Sequence, residues 1–256
     1  MEPLSEDARA HREWLLSFCD VPSAGAVIDL GCGKGHDLRR LAALHSSPDL
    51  RLIGLDASEP NVSAAAESSA HDRRIQFSQH RFRDRLPFED ATFDVVYSNN
   101  LLECIQDRAV FVREIARILR PDGQAVVAHW DWDSQLFDGT DKALVRRLVH
   151  AFADWQQTWM DHADGWMGRR LWGLFQATSL FAGEVHARVL MNTSYVPPLY
   201  GHSRAQDFSA LVDRGLATAD DHARFMADLE EREKQGRYFY SITGYAYVGR
   251  RRPRHE

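Results

Sequence analysis

A short apolar run, Ala26-Val27-Ile28-Asp29-Leu30, is followed at once by Gly31-Cys32-Gly33-Lys34-Gly35. Apolar runs of this length that end in glycine read as strands buried on both faces, which occur in sheets covered by helices on either side. Glycines placed there let the backbone turn tightly and let a ligand come close where a Cβ would repel it. Leu38, Leu41 and Ala42 follow at helical spacing, so the loop opens a helix whose first N–H groups are unpaired. The spacing is GxGxG; the dinucleotide fingerprint GxGxxG would need glycine at 36, where the chain has His36. An acidic residue, Asp29, precedes the loop and suits a cationic ligand better than a pyrophosphate. A plain strand-to-helix turn is the competing reading.

The rhythm then repeats. Arg51 to Asp56 is a second strand, Asn61 to Ser69 a short helix, Ile75 to Phe77 a weaker strand and Phe93 to Ser98 a strong one. A helix with Phe111, Ile115, Ile118 and Leu119 inward stops at the turn signal Pro121-Asp122-Gly123, and Gln124 to His129 is the next strand. Alternating strands and helices predict βαβ units and a parallel sheet. Residues 1–22 begin with one helix, 134–182 read as mostly helical, 203–235 as two polar helices, and 184–191 and 238–248 as late strands. At 256 residues, the simplest reading is a single domain whose helical and loop segments, 134–182 and 192–235, cover the ligand end of a 24–132 core.

Asp56 closes the second strand, 21 residues after the last loop glycine. An acidic residue there accepts hydrogen bonds from a ribose diol in sheets of this kind, although an N-cap for the following helix is the alternative.

With these pieces in order, the chain resembles the class I S-adenosylmethionine-dependent methyltransferases, in the branch of the quinone and small-molecule C-methyltransferases. The resemblance rests on VIDLGCGKG (27–35), LIGLDAS (52–58), LPFEDATFDVVYSNNLLE (86–103) and REIARILRPDGQAVVA (113–128). It implies a Rossmann-like, seven-stranded, mostly parallel α/β sheet with an antiparallel last strand, and S-adenosylmethionine as cofactor. By position, Asp29 and the backbone of Gly31, Cys32, Gly33 and Gly35 would hold the methionine part. Asp56 would take the ribose, Ala57 would lie by the adenine, and Asn99 would line the sulfonium side. Relatives often carry an acidic adenine ligand before LPF; here Arg81 or Phe82 stands nearest, and Phe82 is assigned to the adenine by stacking. Glu103-Cys104 replaces a histidine-containing pair of many relatives, and Ser98-Asn99-Asn100-Leu101 is not the Asp/Asn-Pro-Pro-aromatic motif of nucleobase methylators.

The acceptor side is carried by His129-Trp130-Asp131-Trp132-Asp133 at the carboxyl end of the fifth strand. Aromatic walls with carboxylates suit an aromatic or amine-bearing acceptor. His129 and Asp131 are the candidate catalytic residues, the competing reading being core tryptophans, a helix cap and a buried histidine. Asp131 and Asp133 lack a third ligand, so no metal is expected. Trp155, Trp159, Trp166, Trp172 and Phe175 fit either a core or a lid.

Composition narrows the function classes. The net charge of −6 opposes a general nucleic-acid footprint, and no apolar stretch approaches the roughly 20 residues that span a bilayer. Three cysteines without CxxC predict a reducing, cytoplasmic setting. The expectation is methyl transfer to a small-molecule acceptor, with secondary metabolism as the setting. An NAD-dependent oxidoreductase and a non-catalytic cofactor-binding module of the same fold are the rivals.

Overall fold

The structure is a computed structural model and describes residues 5–83 and 85–253. In chain order its elements are α1 (Glu6–Leu16), β1 (Ala26–Leu30), α2 (His36–Leu44), β2 (Arg51–Asp56), α3 (Glu59–Ser69), β3 (Ile75–Gln79), β4 (Phe93–Asn99) and α4 (Arg108–Ile118). These are followed by β5 (Leu119–Phe137), α5 (Lys142–Ala153), α6 (Met167–Thr178), β6 (Phe181–Asn192), α7 (Tyr200–Asp207), α8 (Ser209–Asp213), α9 (Ala219–Lys234) and β7 (Tyr240–Arg251). A single 3-10 turn, Leu102–Cys104, links β4 to α4.

The seven strands form one sheet in the order β3-β2-β1-β4-β5-β7-β6. β1 is parallel to β2 and β4, β2 to β3, and β4 to β5, while the last strands run antiparallel. The Rossmann-like sheet is therefore the one expected. All five residues of β1 are buried, as a continuous apolar run between two helix layers requires. Local chemistry sets the helix starts. Ser58 caps α3 through Asn61 N, Asp107 caps α4 through Val110 N, and Asp141 caps α5 through Ala143 N and Leu144 N.

Several boundaries differ from the sequence reading. β5 begins at Leu119 and absorbs Pro121-Asp122-Gly123 as an irregularity: Phe93 pairs with Leu119 but Val95 with Gln124, and Asp122 sits at a φ of 60°. β5 also continues to Phe137, so 134–137 is strand; in 134–182 the helices are confined to α5 and α6. Three helices, not two, occupy 200–234. β6 and β7 are longer than the expected 184–191 and 238–248.

By contacts the described chain divides into two compact units. One comprises 14–129, 170–186 and 246–253; the other comprises 5–13, 130–169 and 187–245. The first has a core of Leu15, Val27, Leu38, Leu52, Val95 and Val126. In the second, Phe137 packs on Phe208, Phe225 and Tyr240 at ring separations of 5.7, 5.2 and 4.7 Å. Each such buried aromatic contributes about 1.5–3 kcal/mol. Among the described residues, no helix is long and apolar enough to cross a membrane.

Candidate functional site

The first unit gathers the glycine loop, Asp56 and Asn99 at the carboxyl ends of the adjacent parallel strands β2, β1 and β4. Gly31 N and Cys32 N both donate to Leu55 O, at 2.8 and 2.9 Å, so the loop is folded back onto β2. Gly31, Gly33 and Gly35 have φ of 80°, 51° and 72°, the left-handed region that disfavours side chains. Their surroundings differ. A Cβ on Gly35 would lie 2.5 Å from Phe77 Cζ, and one on Gly31 3.2 Å from Leu101 Cβ. A Cβ on Gly33 would meet nothing within 4 Å. Gly33 alone of the three faces open space.

Asp56 connects this loop to α3. Its Oδ2 accepts from Gly33 N at 2.8 Å and its Oδ1 from Ser58 N at 2.9 Å, with Asn61 Nδ2 at 3.5 Å. The N-cap of α3 is Ser58 and not Asp56; Asp56 supports the helix start through Ser58 N and holds the loop through Gly33 N. A carboxylate offers about four acceptor positions, so these bonds leave room for a hydroxyl. Next to it, the Ala57 carbonyl accepts from Gln79 Nε2 at 3.0 Å, which ties the end of β2 to the end of β3.

Asp29 is 2% exposed and pairs in register with Gly54 and Tyr97. Cys32 is buried under the loop. Burial, with help from the charges of Asp29 and Asp56, pushes its thiol far above the ordinary range, so it stays a thiol. Phe82 lies beyond β3, edge-on to His80 at 5.6 Å and to Phe111 at 5.8 Å. Asn99 pairs with Ala128, and Asn100, at a φ of 59°, donates to the Ala128 carbonyl. His129 therefore follows directly on the residue beside Asn99. Its side chain is fully buried, with Nε2 3.8 Å from Glu103 Oε1.

Sequence reasoning missed two supports of this site. Tyr97 OH donates to Asp37 Oδ2 at 3.1 Å, and Ser98 Oγ donates to Leu30 O at 2.8 Å, both buried. The signal was available: polar residues inside an otherwise apolar strand need partners.

In the second unit, Asp131 is 1% exposed and both its oxygens accept from Arg169, Oδ2 from Nε and Oδ1 from Nη2, the latter at 2.6 Å. The Arg169 guanidinium lies 4.7 Å from the Trp166 ring centroid, and Trp166 Nε1 donates to Asp133 Oδ2 at 3.0 Å. His150 Nε2 stands 3.4 Å from Asp133 Oδ1. The hydrogen bonds that Arg169 donates to Asp131 hold the Arg169 pKa above its ordinary value. Arg169 was not foreseen, because nothing local marks a partner 38 residues away.

Residues 28–127 match the family whose description is "Methyltransferase domain". Tocopherol O-methyltransferase of Arabidopsis thaliana is 35% identical over 106 residues, covering 41% of this chain and 30% of that protein. The 2-methyl-6-phytyl-1,4-hydroquinone methyltransferase of Synechocystis is 29% identical over 168 residues, 64% of this chain and 49% of that one. The chain spans less than half the length of each of these relatives. Among solved structures, a geranyl diphosphate methyltransferase in complex with S-adenosylmethionine has a TM-score of 0.55 at 16% identity, covering 95% of this chain and 85% of that one. At that identity the likeness speaks for the fold alone.

Proposed function

We propose, from the match of residues 28–127 to the methyltransferase-domain family, that the chain moves the methyl group of S-adenosylmethionine to a small-molecule acceptor that is aromatic or amine-bearing. The observation that carries the reading is Asp56: a carboxylate at the end of β2, bonded to the N–H of the one loop glycine that faces open space. The donor set suits a cationic, ribose-bearing cofactor. Asp56 would hold the ribose hydroxyls, the peptide groups of Gly31 to Gly35 and the acidic Asp29 the amino-acid end, Ala57 and Phe82 the adenine, and Asn99 the sulfonium side. The relatives named as tocopherol and hydroquinone methyltransferases support a small aromatic acceptor.

When bound, the sulfonium supplies an activated methyl group with its own leaving group, so the protein needs no covalent nucleophile. What the chain contributes is alignment, worth up to about 7–11 kcal/mol when reacting groups are held in near-attack geometry. We assign His129 the removal of a proton from a hydroxyl or carbon acceptor, or the orientation of an amine. Glu103 Oε1 stands 3.8 Å from the imidazole Nε2, beyond hydrogen-bond distance, and its carboxylate would offset the charge that proton uptake creates. Asp131, with both oxygens on Arg169, would serve by fixing that guanidinium against Trp166 and Asp133.

Calorimetry decides the cofactor: saturable binding of S-adenosylmethionine and S-adenosylhomocysteine without NAD binding is expected, and the reverse pattern would overturn the proposal. Release of S-adenosylhomocysteine with a panel of phenols, quinols and amines then separates an enzyme from a binding module. With a turned-over acceptor, His129→Ala should lower kcat by about 10²–10⁴-fold if it is a base, and raise KM with a smaller kcat change if it orients. Wild-type kinetics would exclude both roles.

A further inference from the structure

The amino ends of the parallel strands in the first unit, opposite the glycine loop, carry a feature that methyl transfer does not use. A cleft of about 520 Å³ is lined by Arg113, Arg117, Arg251 and Arg252, with Ala116, Leu180 and other small or apolar residues between them and, among the described residues, no carboxylate in its walls. A second cleft of about 240 Å³ shares Arg251 and Arg252 with it and is also lined by Asp90, whose carboxylate is paired with Arg117. On a chain of net charge −6, four guanidiniums around one cavity run against the overall field.

Two of the four have an evident structural task. Arg117 is held by Glu114 and Asp90 and donates to Phe88 O and Leu86 O, so its charge is neutralised where it sits. Arg251, 8% exposed, donates from Nη1 to Leu119 O and joins the end of β7 to the start of β5. Arg252 gives only its Nε, to Phe181 O at 2.9 Å, and Arg113 lies on the exposed face of α4. Among the described residues, neither Arg113 nor Arg252 has a carboxylate partner. Folding thus leaves two guanidinium forks directed at a cavity whose size falls within the roughly 300–1,000 Å³ of small-ligand sites. Arginine forks match the oxygen pairs of a phosphoryl group, and the apolar wall between them suits a carbon skeleton.

From this we infer a second binding site, at the amino-end cleft, for a small phosphorylated molecule held by Arg113 and Arg252 with Arg251 behind them. The test is calorimetry on the full chain at fixed ionic strength, with inorganic pyrophosphate and fructose 1,6-bisphosphate as probes, neither of which carries an adenosine to enter the glycine-loop site. One saturable site is expected in the wild type. Arg113→Gln should weaken it by about 10- to 100-fold, the span of one charge-assisted hydrogen bond, and among the described residues it removes no hydrogen bond or ion pair within the fold. Arg252→Gln should act in the same direction while S-adenosylmethionine affinity stays unchanged in both variants. Three results would overturn the inference: no saturable binding of either probe, affinities retained in both variants, or binding only of a single-stranded oligonucleotide, which would mean a polyanion surface instead.

Discussion

Asp56→Ala is the sharpest test of the cofactor site, because the side chain has two measurable duties. Its Oδ2 and Oδ1 accept from two different backbone donors, Gly33 N at 2.8 Å and Ser58 N at 2.9 Å. Deletion removes the acceptor proposed for the ribose hydroxyls and also frees the loop. Loss of a hydrogen bond to a charged group is worth about 1.5–3 kcal/mol, which lowers S-adenosylmethionine affinity by about 10- to 150-fold. Leaving the part-buried Gly33 N–H without its partner costs the fold about 1–3 kcal/mol. For a chain of this size that lowers Tm by about 2–4 °C per kcal/mol. Asp56→Asn is the informative companion. An amide has one acceptor oxygen, so it can serve Gly33 N or Ser58 N but must turn an NH₂ toward the other donor. Its affinity should fall between those of the wild type and the alanine variant. Calorimetry with S-adenosylmethionine and S-adenosylhomocysteine reads the first effect, and thermal melts read the second. An unchanged Kd in a folded Asp56→Ala protein would refute the ribose assignment and leave Asp56 a helix-start residue only.

Arg169→Met should destabilise the protein toward the lower end of about 3–5 kcal/mol, because it strands the buried Asp131 carboxylate while Arg169 itself is part-exposed. Adding Asp131→Leu should restore much of the loss, and a double-mutant cycle without such recovery would show that the pair is not coupled. His11 provides a pH test. Burial, reinforced by the positive charges of Arg188 and Arg12, lowers its pKa to about 3 from an ordinary 6.5. Between those values the unfolded chain binds a proton that the folded one refuses, so this contribution to stability is complete above pH 6.5 and is lost as pH falls toward 3. His11→Phe, which keeps a ring stacked on Trp130 at the 3.9 Å site, should flatten the Tm profile over pH 4–6.5. An equally steep profile in the variant would assign the pH dependence to other groups.

The strands β1 and β4 were legible because a parallel strand covered on both faces must be an apolar run, and Val27-Ile28 or Val95-Val96 can hardly be anything else, whereas β3, mostly exposed, gave a weaker signal. The late strands were also legible: β6 was read short at both ends, and β7 was begun two residues early and ended three residues short. Past His129 the signal fails for a physical reason. Trp130 to Phe137 mixes indoles, carboxylates, serine and glutamine, and is held as strand partly by tertiary bonds such as Tyr240 OH to Gln135 Oε1 and Thr243 N to Ser134 Oγ. Their partners lie over 100 residues away. Likewise Pro121-Asp122-Gly123 has the composition of a terminating turn, yet the register with β4 resumes at Gln124 and keeps it within one strand. The acceptor side suffered most, since the group that fixes Asp131 sits on another element, on a helix whose own pattern gives no hint of it.

The glycine loop shows how far a motif can be read and where coordinates take over. GxGxG is visible in the sequence, but the three glycines look alike there and serve different ends. Gly35→Ala would place a methyl 2.5 Å from Phe77 Cζ at a φ of 72°, and Phe77 is also hemmed in by Gly54, whose Cβ direction points at the same ring. That variant pays both the left-handed penalty of about 1–2 kcal/mol and an overpacking cost of about 1–3 kcal/mol, so it should lose stability first. Gly33→Ala carries only the first of these, because nothing lies within 4 Å of the added carbon. If that open space belongs to the cofactor, Gly33→Ala should melt within a few degrees of the wild type yet bind S-adenosylmethionine at least about tenfold more weakly, since the methyl would stand where the ligand approaches the backbone. Equal affinity in a stable Gly33→Ala protein would mean that the open side of the loop faces only water, and that the glycine is kept for its backbone angle alone.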